Sequence, residues 1–178
     1  MNRLLTLALM SLMLCTLHAR AADLNVGDSA PDFAVNKFLK GEPVKQLQQG
    51  QIYVIEFWAT WCGPCIDNIP KLTAMQKKYG DKVVFVGVSV FERDQTKVAP
   101  FVKQMGSKMN YRVAMDKVEK NGKSSDGHMA KNWLKAAGQN GIPCAFIVDK
   151  EGKIAWIGHP AQMAKPLDNV VAGLPAVK

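Results

Sequence analysis

Two stretches of the chain are apolar almost without a break and rich in β-branched and aromatic residues: Gln51 to Trp58 and Val83 to Val90. Runs of this length read as strands covered on both faces, at the centre of a sheet. Between them the period changes, with Ile66, Ile69, Leu72, Met75 and Tyr79 recurring at helical spacing after Gly63 and Gly80 standing where such a helix ends. Asp94 is placed to cap a further helix, whose apolar stripe is Val98, Phe101, Val102 and Met105. This alternation of strand and helix predicts parallel strands. A short strand from Tyr111 to Met115, a polar lysine-bearing loop and a helix from about Gly127 to Ala137 follow. Ala145 to Asp149 and Ile154 to Ile157 flank Lys150-Glu151-Gly152-Lys153, the pattern of a hairpin, which makes the sheet mixed. A last helix is predicted from Pro166 to about Ala172, and Asp23 to Gly50 reads as an irregular lead-in with one short strand or hairpin.

The first residues follow another pattern. Arg3 precedes an apolar run from Leu4 to Leu17, shorter than the ~20 residues of a transmembrane helix, and Ala19-Arg20-Ala21 puts small residues at both cleavage-determining positions. Residues 1–21 therefore read as a secretory signal peptide, with Cys15 as its filler, and 22–178 as a single domain. With 178 residues, 48% hydrophobic and 21% charged, the composition excludes disordered and multi-span membrane classes. The formal charge of +8 stays positive after Arg3 and Arg20 leave with the signal. Its lysines are scattered rather than interleaved with aromatics in a run, which argues for solvated surface and against nucleic acid. Export implies an oxidising compartment, where structural cysteines are found paired. Three cysteines remain after residue 21, an odd number.

Two of them stand in Trp61-Cys62-Gly63-Pro64-Cys65, between the first buried strand and the first helix. At a helix N-terminus Cys62 meets unpaired backbone N–H groups and the positive end of the macrodipole, which lower a thiol pKa and make a nucleophilic thiolate. Cys65, one turn on, faces the same way and can resolve a mixed disulfide formed at Cys62. A zinc site would need a second ligand pair, and Cys144, His128 and His159 have no suitable spacing, so no metal is expected. A purely structural staple is a weak reading, because so short a loop removes little entropy from the unfolded chain. Glu56 is the odd letter in its apolar strand, either buried behind the pair with a raised pKa or reaching solvent along its stem.

The run Phe57-Trp58-Ala59-Thr60-Trp61-Cys62-Gly63-Pro64-Cys65, with Pro70 five residues later and Ile142-Pro143 downstream, resembles the thioredoxin active site, its kinked helix and its cis-proline loop. Ala30-Pro31-Asp32-Phe33, the extra βα unit and the exported context resemble the TlpA/ResA branch. That resemblance implies a thioredoxin-like α/β fold, a mixed central sheet flanked by helices with an N-terminal extension and an inserted βα unit. It further implies a cis Pro143 facing the disulfide, an Ile142 backbone that pairs with extended substrate, and Glu56 as a buried carboxylate exchanging a proton with Cys65. Trp61, Gly63 and Pro64 would complete the docking surface. Cys144 departs from the family pattern; it could be a third redox thiol, although free cysteine at the start of a core strand is more often packing.

The expected activity is thiol:disulfide oxidoreduction without a cofactor, on protein thiols and disulfides, in the periplasm. In the family that the motif resembles, Gly-Pro between the cysteines accompanies reducing members, which implies a reductant. The ResA-like resemblance implies a role such as cytochrome c maturation, with re-reduction by a membrane electron donor. Two alternatives stay open. A thiol peroxidase shares the Ala-Pro-Asp-Phe lead-in, but Ile55 and Ala59 occupy the Pro and Thr positions of the peroxidatic pattern before Cys62. A non-catalytic copper-handling or holdase module would use the apolar surface around Trp61 and Pro143 instead.

Overall fold

The computed structural model describes residues 23–176; the reading of residues 1–21 as a signal peptide lies outside them. Six strands form one mixed sheet: β1 (Val35–Lys40), β2 (Ile52–Trp58), β3 (Val83–Ser89), β4 (Arg112–Asp116), β5 (Cys144–Val148) and β6 (Ile154–Gly158). Their order is β1-β4-β3-β2-β5-β6, with β2, β3 and β4 parallel and the other pairings antiparallel. The central position of β2 explains its composition, since every one of its residues is buried. Alternate side chains enter opposite cores: Ile52, Val54 and Trp58 face one, Tyr53, Ile55 and Phe57 the other.

Helices α1 (Gly63–Tyr79), α2 (Val98–Met105) and α3 (Ala164–Val171) cover the first core with Ile69, Leu72, Val98, Val102, Leu167 and Val170. Asp94 caps the turn leading into α2 by accepting from Thr96 N–H at 3.0 Å. Pro70 lies inside α1, where it removes one backbone donor. The second core is closed by the segment around Trp133 and by Leu24 and Phe33 of the lead-in.

Three elements differ from their sequence pattern. The lead-in is bound at both edges of the sheet: Gly27 and Asp28 exchange backbone hydrogen bonds with Ile154 beside β6, whereas β1 pairs with β4 at the far edge. The predicted helix over 127–137 is helical from His128, but Ala130–Lys135 is a π-helical segment. Ala136 N–H bonds Lys131 O, and Gln139 N–H bonds Leu134 O, each five residues back. Ala130, Trp133 and Leu134 lie in the core, with Trp133 Nε1 donating to Asp32 O at 3.1 Å. The last helix begins two residues earlier than predicted, with Pro166 in its first turn, where a proline N–H is not required. No helix among the described residues is long and apolar enough to cross a membrane.

Candidate active site

The run from β2 into α1 makes the turn that carries the two cysteines. Cys62 is the N-cap of α1, with an extended backbone (φ −89°, ψ 96°), and Pro64 sits in the first turn. The proline is accommodated there because the first helical N–H groups have no intrahelical acceptor. Cys62 and Cys65 are joined by a disulfide, and Cys65 N–H donates to Cys62 Sγ at 3.3 Å. When the bond is reduced, the same N–H and the helix terminus favour negative charge on Cys62. Cys62 is 4% exposed and Cys65 is fully buried, which makes Cys62 the more accessible of the two sulfurs.

Of the residues expected to dock substrate, Trp61, Gly63 and Pro64 are exposed. The Ile142–Pro143 peptide is cis, and Ile142 O lies 3.8 Å from Cys62 Sγ. Trp61 is 46% exposed although its Nε1 donates to Phe91 O at 3.0 Å, and the Arg93 guanidinium stands 5.7 Å from its ring centroid. A flat aromatic edge held beside a reactive sulfur suits an apolar, extended polypeptide.

Glu56 is 1% exposed, and neither of its oxygens has a protein hydrogen-bond partner. It shares a face of β2 with Val54 and Trp58, the side that packs beneath α1 together with Cys65. Burial pushes its carboxyl up to about 8, because the charged form loses its hydration without gaining a compensating partner. Cys144 begins β5 opposite Phe57 and is 3% exposed, its thiol pushed up to about 12 by burial and then by the charge of Glu56. His128 and His159 lie apart: His128 Nε2 is 3.2 Å from Asp32 O, and His159 Nδ1 accepts from Ala161 N–H. No group of three or more His, Cys, Asp or Glu side chains comes together in a metal-binding arrangement among the described residues.

Two buried acids that the sequence reading passed over shape the site's surroundings. Glu92, 5% exposed, accepts from Thr60 N–H and Thr60 Oγ1 at 2.8 Å each and from Ser89 Oγ at 2.7 Å. It ties the turn before Cys62 to the end of β3. Phe91 beside it has φ 55°, a costly conformation for a bulky residue, and its carbonyl is the one that holds Trp61. Asp116, at the end of β4, accepts from Met129 N–H and Ala130 N–H at 2.8 and 3.0 Å, capping the helical segment. A side chain at Gly127 would overlap that carboxylate. A single acid following an apolar run was the only local signal for either residue.

Comparison with known proteins gives a consistent picture. The AhpC/TSA family profile matches residues 26–157. The thiol-disulfide oxidoreductase ResA of Bacillus thuringiensis subsp. konkukian is 30% identical over 165 residues, covering 86% of each chain. Protein FixW of Rhizobium leguminosarum is 32% identical over 160 residues, covering 86% of this chain and 69% of its own. Among solved structures, a thiol:disulfide interchange protein of DsbE type from Chlorobium tepidum is 26% identical with a TM-score of 0.60, covering 84% of this chain and 97% of that one.

Proposed function

The chain belongs to the AhpC/TSA family and is a thioredoxin-like thiol:disulfide oxidoreductase, and from that premise we propose that it acts outside the cytoplasm as a reductant of protein disulfides. The observation that carries this reading is the Cys62–Cys65 disulfide at the N-terminus of α1, with its outer sulfur beside the Ile142 carbonyl and the exposed Trp61. In the reduced enzyme the Cys62 thiolate attacks one sulfur of a substrate disulfide, forming a mixed disulfide and expelling the other substrate sulfur as a thiolate. Cys65, losing its proton, attacks Cys62 Sγ, closes the intramolecular disulfide and releases the second substrate thiolate. Two electrons pass from the dithiol to the substrate. Glu56, with a pKa brought near that of a thiol, takes the Cys65 proton and returns it when the enzyme is re-reduced.

Ile142, Pro143, Trp61, Gly63 and Pro64 dock the extended substrate segment. Exported proteins are the substrate class, and apocytochrome c is the member that the likeness to ResA favours. A membrane electron donor would restore the dithiol. Residues 1–21 act as the export signal, and the remaining chain works in the periplasm.

The reduction potential of the Cys62–Cys65 pair tests the direction of flow. A value near about −270 mV is expected of a reductant, and one near about −120 mV would assign disulfide donation instead. A peroxidase reading has one observation in its favour, the AhpC/TSA profile itself. Ile55 and Ala59 stand against it at the positions before Cys62, and turnover of hydrogen peroxide by the purified protein decides between the two. Full retention of biological function in Cys62→Ser would put a copper-handling or holdase module in place of an enzyme, because no exchange starts without that thiolate.

A further inference from the structure

Among the described residues, four buried polar atoms on the first-core side of the sheet have no protein hydrogen-bond partner: Glu56 Oε1 and Oε2, Trp58 Nε1 and Tyr111 Oη. They belong to one place. Glu56 and Trp58 project from the same face of β2, and the residue paired with Glu56 on β3 is Gly87. A Cβ at Gly87 would come within 2.9 Å of Tyr111 Cε2 and 3.3 Å of Trp58 Nε1. Glycine at this position is thus what allows the phenol ring and the indole edge to lie against the sheet beside the carboxyl. All three side chains are at most 5% exposed, so bulk solvent does not satisfy them.

Their chemistry is complementary. The indole N–H is a donor only, the phenol hydroxyl donates or accepts, and an ionised carboxyl accepts only. A set of this kind closes through one shared buried water, which needs two to four polar partners. We propose that Tyr111 is a positioning residue for Glu56: its hydroxyl, with Trp58 Nε1 and a bridging water, forms a closed polar pocket over Gly87 that orients the carboxyl and tunes its hold on a proton. The proposal rests on the reading of Glu56 as the group that exchanges a proton with Cys65. On the Glu56 side of the sheet the neighbouring titratable groups are Tyr111 ahead of β4 and the Cys62–Cys65 pair of α1, whereas Cys144 at the start of β5 lies on the opposite side, in the second core, and feels only the Glu56 charge. Burial opposes ionisation of Tyr111 first, and the Glu56 charge adds to it, as expected of groups that share one enclosure.

The experiment is a pH titration of the oxidised protein, in which Cys62 and Cys65 do not titrate, with 13C at tyrosine Cζ and glutamate Cδ. Tyr111→Phe assigns the Tyr111 signal among the three tyrosines. The expected result is a Tyr111 Cζ shift with the same midpoint as Glu56 Cδ, abolished in Glu56→Gln. In Tyr111→Phe, which keeps the ring and removes only the hydroxyl, the Glu56 midpoint rises by about one pH unit, because the charged form loses a donor. A Tyr111 signal that ignores the Glu56 titration overturns the proposal, and the wild-type measurement stands even if the variant folds poorly. An unchanged Glu56 midpoint in a folded Tyr111→Phe overturns it equally. The underlying reading fails in a different way: if Glu56→Gln resolves mixed disulfides at the wild-type rate while the Tyr111 signal follows Glu56, the proton shuttle falls and the positioning contact remains.

Discussion

Glu56 gives the protein a pH dependence whose direction follows from its burial. Its carboxyl titrates near the ordinary 4.5 when unfolded and at about 8 when folded, so between those values the native state binds the extra proton. Stability is therefore intact below about pH 4.5 and declines as pH rises to about 8, by at most about 5 kcal/mol. Urea unfolding of the oxidised protein at pH 5 and pH 9 should reveal that decline, and Glu56→Gln should remove most of it. Cys144 makes the opposite kind of prediction. A buried thiol pushed up to about 12 holds almost no thiolate at neutral pH, and iodoacetamide should leave it untouched until the protein is unfolded. Modification of Cys144 in the native protein would favour the third-redox-thiol reading over packing. Glu56 could be picked out as the one charge in an apolar strand, and Cys62 and Cys65 by their spacing. Tyr111 could not, because nothing local marks a tyrosine whose ring packs over Gly87, the β3 partner of Glu56.

At the scale of elements, the loop from Ser89 to Arg93 acts as a brace for the turn that carries Cys62. Glu92→Ala would strand Thr60 N–H, Thr60 Oγ1 and Ser89 Oγ in a largely dry environment, at a cost of about 3 kcal/mol. Denaturant melts should register that loss, and Trp61 fluorescence should change as its tether to Phe91 O loosens. A melt and spectrum like wild type's would deny the brace. The helical segment after Gly127 illustrates what periodicity leaves out. Its apolar pattern signals a helix but not the wider π turn of Ala130–Lys135, which is held by the Asp116 carboxylate at one end and the Asp32 carbonyl on Trp133. The Asp32 carbonyl comes from a distant part of the chain, and Asp116 comes from the preceding strand. The strands were readable for the converse reason: a buried strand must be apolar on both faces whatever its neighbours are.

For the whole molecule, the lead-in is a structural part of the sheet rather than an appendage. It crosses the second core with Leu24 and Phe33 and supplies β1, which covers the outer edge of β4. A chain starting at residue 41 should lose several kcal/mol of stability and associate through the uncovered β4 edge, visible by size-exclusion chromatography and urea unfolding. A monomeric, equally stable truncation would make the lead-in dispensable. The sequence by itself determined the alternation of strands and helices, the mixed sheet and the place of the CxxC turn at a helix start, because each follows from local spacing and backbone preference; the family was legible through the resemblance of the run around Cys62 and Cys65 to the thioredoxin active site. Only the tertiary structure decided which strands are neighbours and that the lead-in closes the far edge. It also decided that Glu56, Trp58 and Tyr111 meet over Gly87, and that Glu92 and Asp116 turn inward to hold backbone. Those outcomes depend on desolvation and on partners far along the chain, quantities that exist only once the two cores have closed around the sheet.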